Sequence, residues 1–163
     1  MTITTGDTLP NATLLVMGDE GPVSVTMADK TKGRKVVIFG LPGAYTGTCT
    51  TAHVPSFIRT AEAFKAKGVD EIICLSVNDP FVMKSWGDDT GAIAANITML
   101  ADAESEFTKA IGMNFSAGPV GFVERSKRYA MLVEDGVVKI FNEELGRGVC
   151  EISAGETLLD AIA

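Results

Sequence analysis

The sequence predicts an α/β domain in which a central mixed β-sheet is flanked by helices and preceded by an N-terminal β-hairpin extension. Three observations carry this. Lys35-Val-Val-Ile-Phe-Gly40 and Glu71-Ile-Ile-Cys-Leu-Ser-Val77 are continuous β-branched and apolar runs, the pattern of strands buried on both faces. Each is followed by a segment with helical spacing, the order of a parallel crossover. Late in the chain, two further strand-like runs are joined by Glu134-Asp-Gly136, a strong hairpin signal.

In chain order, Ala12 to Met17 and Val23 to Thr26 are short apolar runs around Gly18-Asp-Glu-Gly-Pro22, which suits a hairpin at the N-terminal edge. The Lys35–Gly40 strand ends at Leu41-Pro-Gly43, so a loop follows. From about Cys49 to Lys67, Val54, Phe57, Ile58, Ala61 and Phe64 recur at helical spacing, with Gly68 as the stop; Pro55 predicts a kink one turn in. After the Glu71–Val77 strand, Asn78-Asp-Pro80 reads as a turn and cap for a helix carrying Phe81, Val82, Met83 and Trp86. Ile97 to Leu100 is a third strand, Glu104 to Ile111 a short helix, Arg128–Val133 and Val137–Phe141 the late hairpin, and Ala154 to Ile162 a closing helix. Parallel crossovers, then an antiparallel hairpin and a terminal helix, fit a thioredoxin-like sheet.

No linker, repeat or composition break divides the 163 residues, so a single domain over 1–163 is expected. With 46% hydrophobic and 21% charged residues the chain is compositionally an ordinary globular protein. Its net charge of −7, with Lys and Arg scattered among acids, argues against a surface that tracks nucleic-acid phosphates. The N-terminus has neither a basic start nor an apolar segment, and no run reaches the length of a membrane span; a cytoplasmic protein without membrane or nucleic-acid partners is expected. Three widely spaced cysteines, Cys49, Cys74 and Cys150, make neither a disulfide scaffold nor a zinc site, so any role for them is reactivity.

Chemistry concentrates in Leu41-Pro-Gly-Ala-Tyr-Thr-Gly-Thr-Cys49-Thr-Thr-Ala-His53-Val-Pro55, a Gly- and Thr-rich loop that leaves a buried strand and places a cysteine at a helix start. Such strand-to-helix junctions are where open α/β sheets build sites. There the helix dipole and unpaired N–H groups favour a thiolate. From the residues alone two readings stand: a functional thiol, or a small buried residue beside threonines that cap the helix. His53, the only histidine, lies four residues on. A Cys-His pair admits a hydrolase or a metal site, but neither an orienting acid nor an oxyanion hole is evident and two ligands rarely hold a catalytic metal, so a structural hydrogen-bonding role is favoured.

Pro42-x-x-x-Thr46-x-x-Cys49 resembles the active-site motif of the peroxiredoxins, thiol peroxidases on a thioredoxin fold. The longer Pro-Gly-Ala-Tyr-Thr-Gly-Thr-Cys stretch followed by His53-Val-Pro55 is similar to the peroxiredoxin 5, or type II, branch. So are Cys74-Leu-Ser-Val-Asn-Asp79, Ser85-Trp-Gly87, Leu100-Ala-Asp102 and Arg128-Tyr-Ala-Met-Leu-Val-Glu-Asp-Gly136, and the likeness runs in order along nearly the whole chain. Gly47, where the family commonly has proline, and Ser56, where it often has glycine, depart from the pattern.

The resemblance implies that Cys49 attacks a hydroperoxide as thiolate and becomes a sulfenic acid. It implies that Thr46 orients the peroxide and hydrogen-bonds the thiolate, that Pro42 shields the sulfenate from water, and that Arg128 stabilises the thiolate and the departing oxygen, with Arg125 the rival. It implies no metal or cofactor, a homodimer, and re-reduction by a thiol: glutathione with glutaredoxin, thioredoxin, or a resolving cysteine in the chain. Cys150 stands near where relatives place that cysteine, shifted by about one position; Cys74, inside an apolar strand, reads as an inert core residue. Two other readings remain: a thioredoxin-type disulfide reductase, disfavoured because the turn has Thr46-x-x-Cys49 instead of two cysteines, and a peroxide-sensing redox signalling protein.

Overall fold

A computed structural model describes residues 2–146 and 148–163. The expected mixed sheet is present; among the described residues it has seven strands, in the order β2 (Gly21–Thr26), β1 (Thr13–Gly18), β5 (Ile97–Ala101), β4 (Glu71–Ser76), β3 (Lys35–Leu41), β8 (Tyr129–Glu134) and β9 (Val137–Glu143). Its centre is parallel: β3 (Lys35–Leu41) lies beside β4 (Glu71–Ser76), and β4 beside β5 (Ile97–Ala101). These apolar runs cannot be half-exposed. Val36 to Phe39 and Leu41 of β3 are buried and their side chains alternate between two cores, one on each face.

On one face Val37, Phe39 and Leu41 meet α2 (Val54–Ala66), α3 (Pro80–Thr90) and α5 (Gly155–Ala161), with Phe39 stacked on Phe57 at 4.0 Å between ring centroids. On the other, Val36 and Ile38 join Phe107 of α4 (Glu106–Ala110), Met113 and Tyr129. Asp79 caps α3 as expected, its carboxylate accepting Val82 N–H at 2.8 Å ahead of Pro80. Antiparallel strands close both sides. β8 (Tyr129–Glu134) pairs with β3 and turns through Asp135-Gly136 into β9 (Val137–Glu143). At the opposite side β1 (Thr13–Gly18) and β2 (Gly21–Thr26) form the predicted hairpin, joined to β5 through Leu15 and Ala101. The N-terminal segment crosses to the other edge and runs along β9: Gly6 N–H donates to Val138 O, Val138 N–H to Asp7 O and Leu9 N–H to Gly136 O.

Three features differ from the sequence reading. A single-turn helix α1 (Met27–Thr31), capped by the Thr26 hydroxyl, follows β2. A separate two-stranded sheet, β6 (Asn114–Ala117) with β7 (Phe122–Ser126), occupies the stretch before Arg128. The helix from Cys49 is not one α-helix kinked at Pro55. Cys49–His53 is a π-helical turn, in which Val54 N–H reaches back to Cys49 O, and α2 begins only at Val54. Pro55 has no N–H to close a regular bond in this first turn, so the wider turn ends where the proline enters.

Candidate active site

The loop between β3 and Cys49 is held from three sides. Ala44 N–H donates to Asn78 Oδ1 at 3.0 Å, and the Tyr45 hydroxyl lies 2.7 Å from both Ser85 Oγ and Asp89 Oδ2 of α3. From the small sheet, Arg125 Nη1 donates to Pro42 O at 3.0 Å with its guanidinium over the Phe122 ring. Gly43 makes room for this contact, since a Cβ there would run into Arg125 Nη1. Tyr45 takes a left-handed φ of 63°, which turns the chain toward Cys49.

Cys49 is buried at the first residue of the π turn, 1% exposed, and Arg128 Nη2 donates to its Sγ at 3.3 Å. The same guanidinium donates through Nη1 to His53 Nδ1 at 3.0 Å. Arginine has no acceptor, so His53 Nδ1 must accept; Nε2 then carries the proton and donates it to Ser153 O at 3.0 Å. Burial, and secondly the Arg128 charge, push His53 from 6.5 down to about 3, so the ring is a neutral, fixed tautomer. Arg128 is therefore the cation that faces the sulfur.

Cys49 and Arg128 are in contact, whereas Arg125, the rival, is committed to the Pro42 carbonyl. Pro42 and Thr46 lie in the loop, but the Thr46 hydroxyl donates to Gly43 O at 2.7 Å. A hydroxyl has one proton, so the hydrogen bond to the thiolate that the resemblance implies is not the one formed; the Thr46 oxygen is left to accept. Cys74 is fully buried in β4, paired in register with Phe39 and Met99, and burial, then the neighbouring Cys49, push its thiol well above the usual range. Cys150 is half-buried on the segment before α5, and burial raises it too. All three thiols are free.

Sequence reasoning missed the supports behind His53. Glu144 Oε2 accepts from Glu151 N–H at 2.9 Å, Ser153 N–H at 3.0 Å and the Ser153 hydroxyl at 2.9 Å. Ser56 donates to His53 O at 2.6 Å and accepts Gly155 N–H at 2.9 Å, so this departure from the family pattern is a bridge between α2 and α5. No short motif joins residues a hundred positions apart. Thr48 Oγ1 also reaches Gly148 O at 3.3 Å, bringing the Cys150 segment against the start of the π turn. A cleft of about 280 Å³ opens beside Arg128 between Phe115, Lys127 and Leu145. Among the described residues no group of three or more His, Cys, Asp or Glu side chains could hold a metal, and no helix is long and apolar enough to cross a membrane.

Residues 4–159 match the Redoxin family. Peroxiredoxin-2E-2, chloroplastic, of Oryza sativa subsp. japonica is 46% identical over 99% of this chain and 73% of its own length, and peroxiredoxin-2C of Arabidopsis thaliana is 40% identical over 98% of both. Among solved structures, reduced Prx3 of Vibrio vulnificus in complex with hydrogen peroxide superposes with a TM-score of 0.93 at 45% identity, covering 99% of this chain and 100% of the other. Peroxiredoxin 5 of Alvinella pompejana gives 0.85 at 31%, covering 98% of this chain and 97% of its own. With the thioredoxin-like sheet, a buried cysteine at the strand-to-helix junction and these matches along the whole chain, the protein belongs to the redoxins, as a peroxiredoxin of the type II branch and a thiol-dependent peroxidase.

Proposed function

We propose that Cys49 is the peroxidatic residue and that the protein reduces hydrogen peroxide and small alkyl hydroperoxides. The observation that carries this is the buried Cys49 sulfur 3.3 Å from Arg128 Nη2, with the guanidinium held from behind by a neutral His53. The thiolate attacks the terminal peroxide oxygen; an S–O bond forms, the O–O bond breaks, and two electrons pass from sulfur to the peroxide. The leaving oxygen departs as alkoxide or hydroxide and takes a proton from water, while the sulfenic acid keeps the transferred hydroxyl. Arg128 stabilises charge on sulfur and on the leaving oxygen, the kind of preorganised donor that supplies the largest catalytic contribution. Thr46, its proton given to Gly43 O, accepts the peroxide O–H and so orients it, and Pro42 screens the sulfenate.

A thiol then reduces the sulfenic acid. Cys74 is disfavoured as the resolving residue by its position inside the sheet and its raised thiol. Cys150, on the segment touched by Thr48 and next to Ser153, is the resolving candidate in the chain; otherwise glutathione with glutaredoxin, or thioredoxin, reacts with Cys49 directly. A cytoplasmic homodimer completes the reading.

The test is intact mass after stoichiometric hydrogen peroxide, with a sulfenic-acid trap and peptide mapping. A trapped adduct on Cys49, abolished in Cys49→Ser together with peroxide consumption, is expected. A Cys49–Cys150 bridge would assign resolution to the chain. Peroxide consumption retained by Cys49→Ser would sink the assignment.

A further inference from the structure

A closed circuit of hydrogen bonds surrounds the Arg128 guanidinium. Glu144 N–H donates to Arg128 O at 2.9 Å; the Glu144 carboxylate accepts the backbone and hydroxyl protons of Ser153; Ser153 O accepts from His53 Nε2; and His53 Nδ1 accepts from Arg128 Nη1. Glu144 is 7% exposed, and Ser153 and His53 are fully buried. Burial alone would raise the Glu144 carboxyl, but the Ser153 and Glu151 donors, with Arg128 behind them, hold it below the usual range. It is thus an ionised acceptor with three donors on one oxygen.

We propose that Glu144 is a positioning residue of the peroxide site: by holding Ser153 it fixes the carbonyl that anchors the His53 Nε2–H, and His53 in turn aims Arg128 at Cys49. The proposal rests on the assignment of Cys49 as the peroxide-reactive thiol. The chain of contacts has a chemical reason at each step. An imidazole can take either tautomer; only the Nε2–H form offers Nδ1 to a guanidinium, and a carbonyl in front of Nε2 holds that form and fixes the direction of the ring. Ser153 sits ahead of α5 in a stretch with no strand or helix of its own, so its carbonyl direction depends on what binds its N–H and hydroxyl. Glu144 binds both. It is also directly tied to Arg128 through the backbone, so one residue sets where the guanidinium starts and, by way of His53, where it points. Displacing a reacting partner by about 1 Å can cost on the order of a hundredfold in rate.

His53 is the only histidine, so protein labelled with ¹⁵N-histidine gives one imidazole to observe. In the intact protein the neutral Nε2–H tautomer is expected. In Glu144→Ala its signals should shift toward a mixture of tautomers, and the second-order rate of Cys49 with hydrogen peroxide should fall about ten- to a hundredfold. Alkylation by iodoacetamide, which has no departing peroxide oxygen and feels only the loss of thiolate, should fall clearly less than the peroxide rate. Glu144→Gln, which keeps one acceptor oxygen, should restore both the spectrum and most of the rate. If Glu144→Ala does not fold, Ser153→Ala, which removes the hydroxyl alone, carries the same measurements with a smaller effect. An unchanged tautomer and peroxide rate in folded Glu144→Ala would overturn the proposal, and so would equal losses toward peroxide and iodoacetamide. If the intact protein formed no sulfenic acid at Cys49, the peroxidase assignment would fail on its own, while the imidazole spectra would still report on Glu144.

Discussion

Arg128 places two N–H donors at once, one on Cys49 Sγ and one on His53, and a single substitution separates those duties. On the proposed mechanism Arg128→Ala removes the cation at the sulfur and the donor to the leaving oxygen, so the rate with hydrogen peroxide is expected to fall about 10²- to 10³-fold, the usual effect of removing one donor of this kind. Arg128→Lys should recover little, because an ammonium on a flexible stem lacks the planar fork that spans both acceptors. Stopped-flow oxidation measures both, and near-normal rates in Arg128→Ala would move the role elsewhere. From residue types alone Arg125 and Arg128 were equal candidates; only the resemblance separated them, and the geometry gives Arg125 to Pro42 and Arg128 to Cys49. The Thr46 proton was not legible, because its acceptor is a carbonyl of the same loop and every residue has one. Glu144 and Ser153 were invisible for a similar reason: their partnership depends on how the chain returns to Arg128, not on spacing.

Among the elements, α5 packs onto α2 so closely that only glycine fits its first position. A Cβ on Gly155 would come within 2.5 Å of Ser56 O and Thr60 Oγ1, and the backbone of α2 cannot swing aside as a side-chain tip would. Gly155→Ala is therefore expected to cost about 1–3 kcal/mol of stability, as overpacked interiors do, and to disturb the Ser56 bridge beneath His53. Urea unfolding checks the first effect, and an unchanged midpoint would show that the helices can part. The long elements were legible because runs such as Lys35–Leu41 and the Val54–Phe64 spacing extend over enough residues to show a period, and Gly, Pro and Asp mark their ends. α1 and the β6–β7 pair were not, since these short segments mix polar and apolar residues and contain no apolar run like Ile97–Leu100 to mark them. The same holds for the turn at Cys49: over five residues, i+4 and i+5 spacing look alike, and Pro55 suggested a kink where the chain instead widens its winding.

At the scale of the whole molecule, buried ionisable groups set how stability changes with pH. His53 holds its proton less tightly in the folded protein, about 3 against 6.5 unfolded, so below pH 6.5 the unfolded chain binds more protons and stability falls by several kcal/mol as the pH is lowered toward 3. Glu71 and Glu144 add to this at lower pH. Burial works to raise both carboxyls, but Thr98, Arg34 and Lys30 around Glu71, and the Ser153 and Glu151 donors around Glu144, lower them below 4.5, so their contribution is present above that value and is lost on acidification. In the alkaline range Cys74 and Tyr129, both raised by burial, keep protons that the unfolded chain releases, and stability declines again as pH rises past about 9. Urea midpoints from pH 4 to 10 should trace a dome whose acid side begins to fall near 6.5; a flat profile down to 4.5 would show that His53 charges without cost. The N-terminal segment lies along β9, taking up the N–H and C=O of Val138 and the C=O of Gly136. Those groups would otherwise form an unprotected border open to pairing with another molecule's strand, the first step toward intermolecular sheets. By pairing with the start of β9, this strip of chain guards that part of the border against self-association into aggregates.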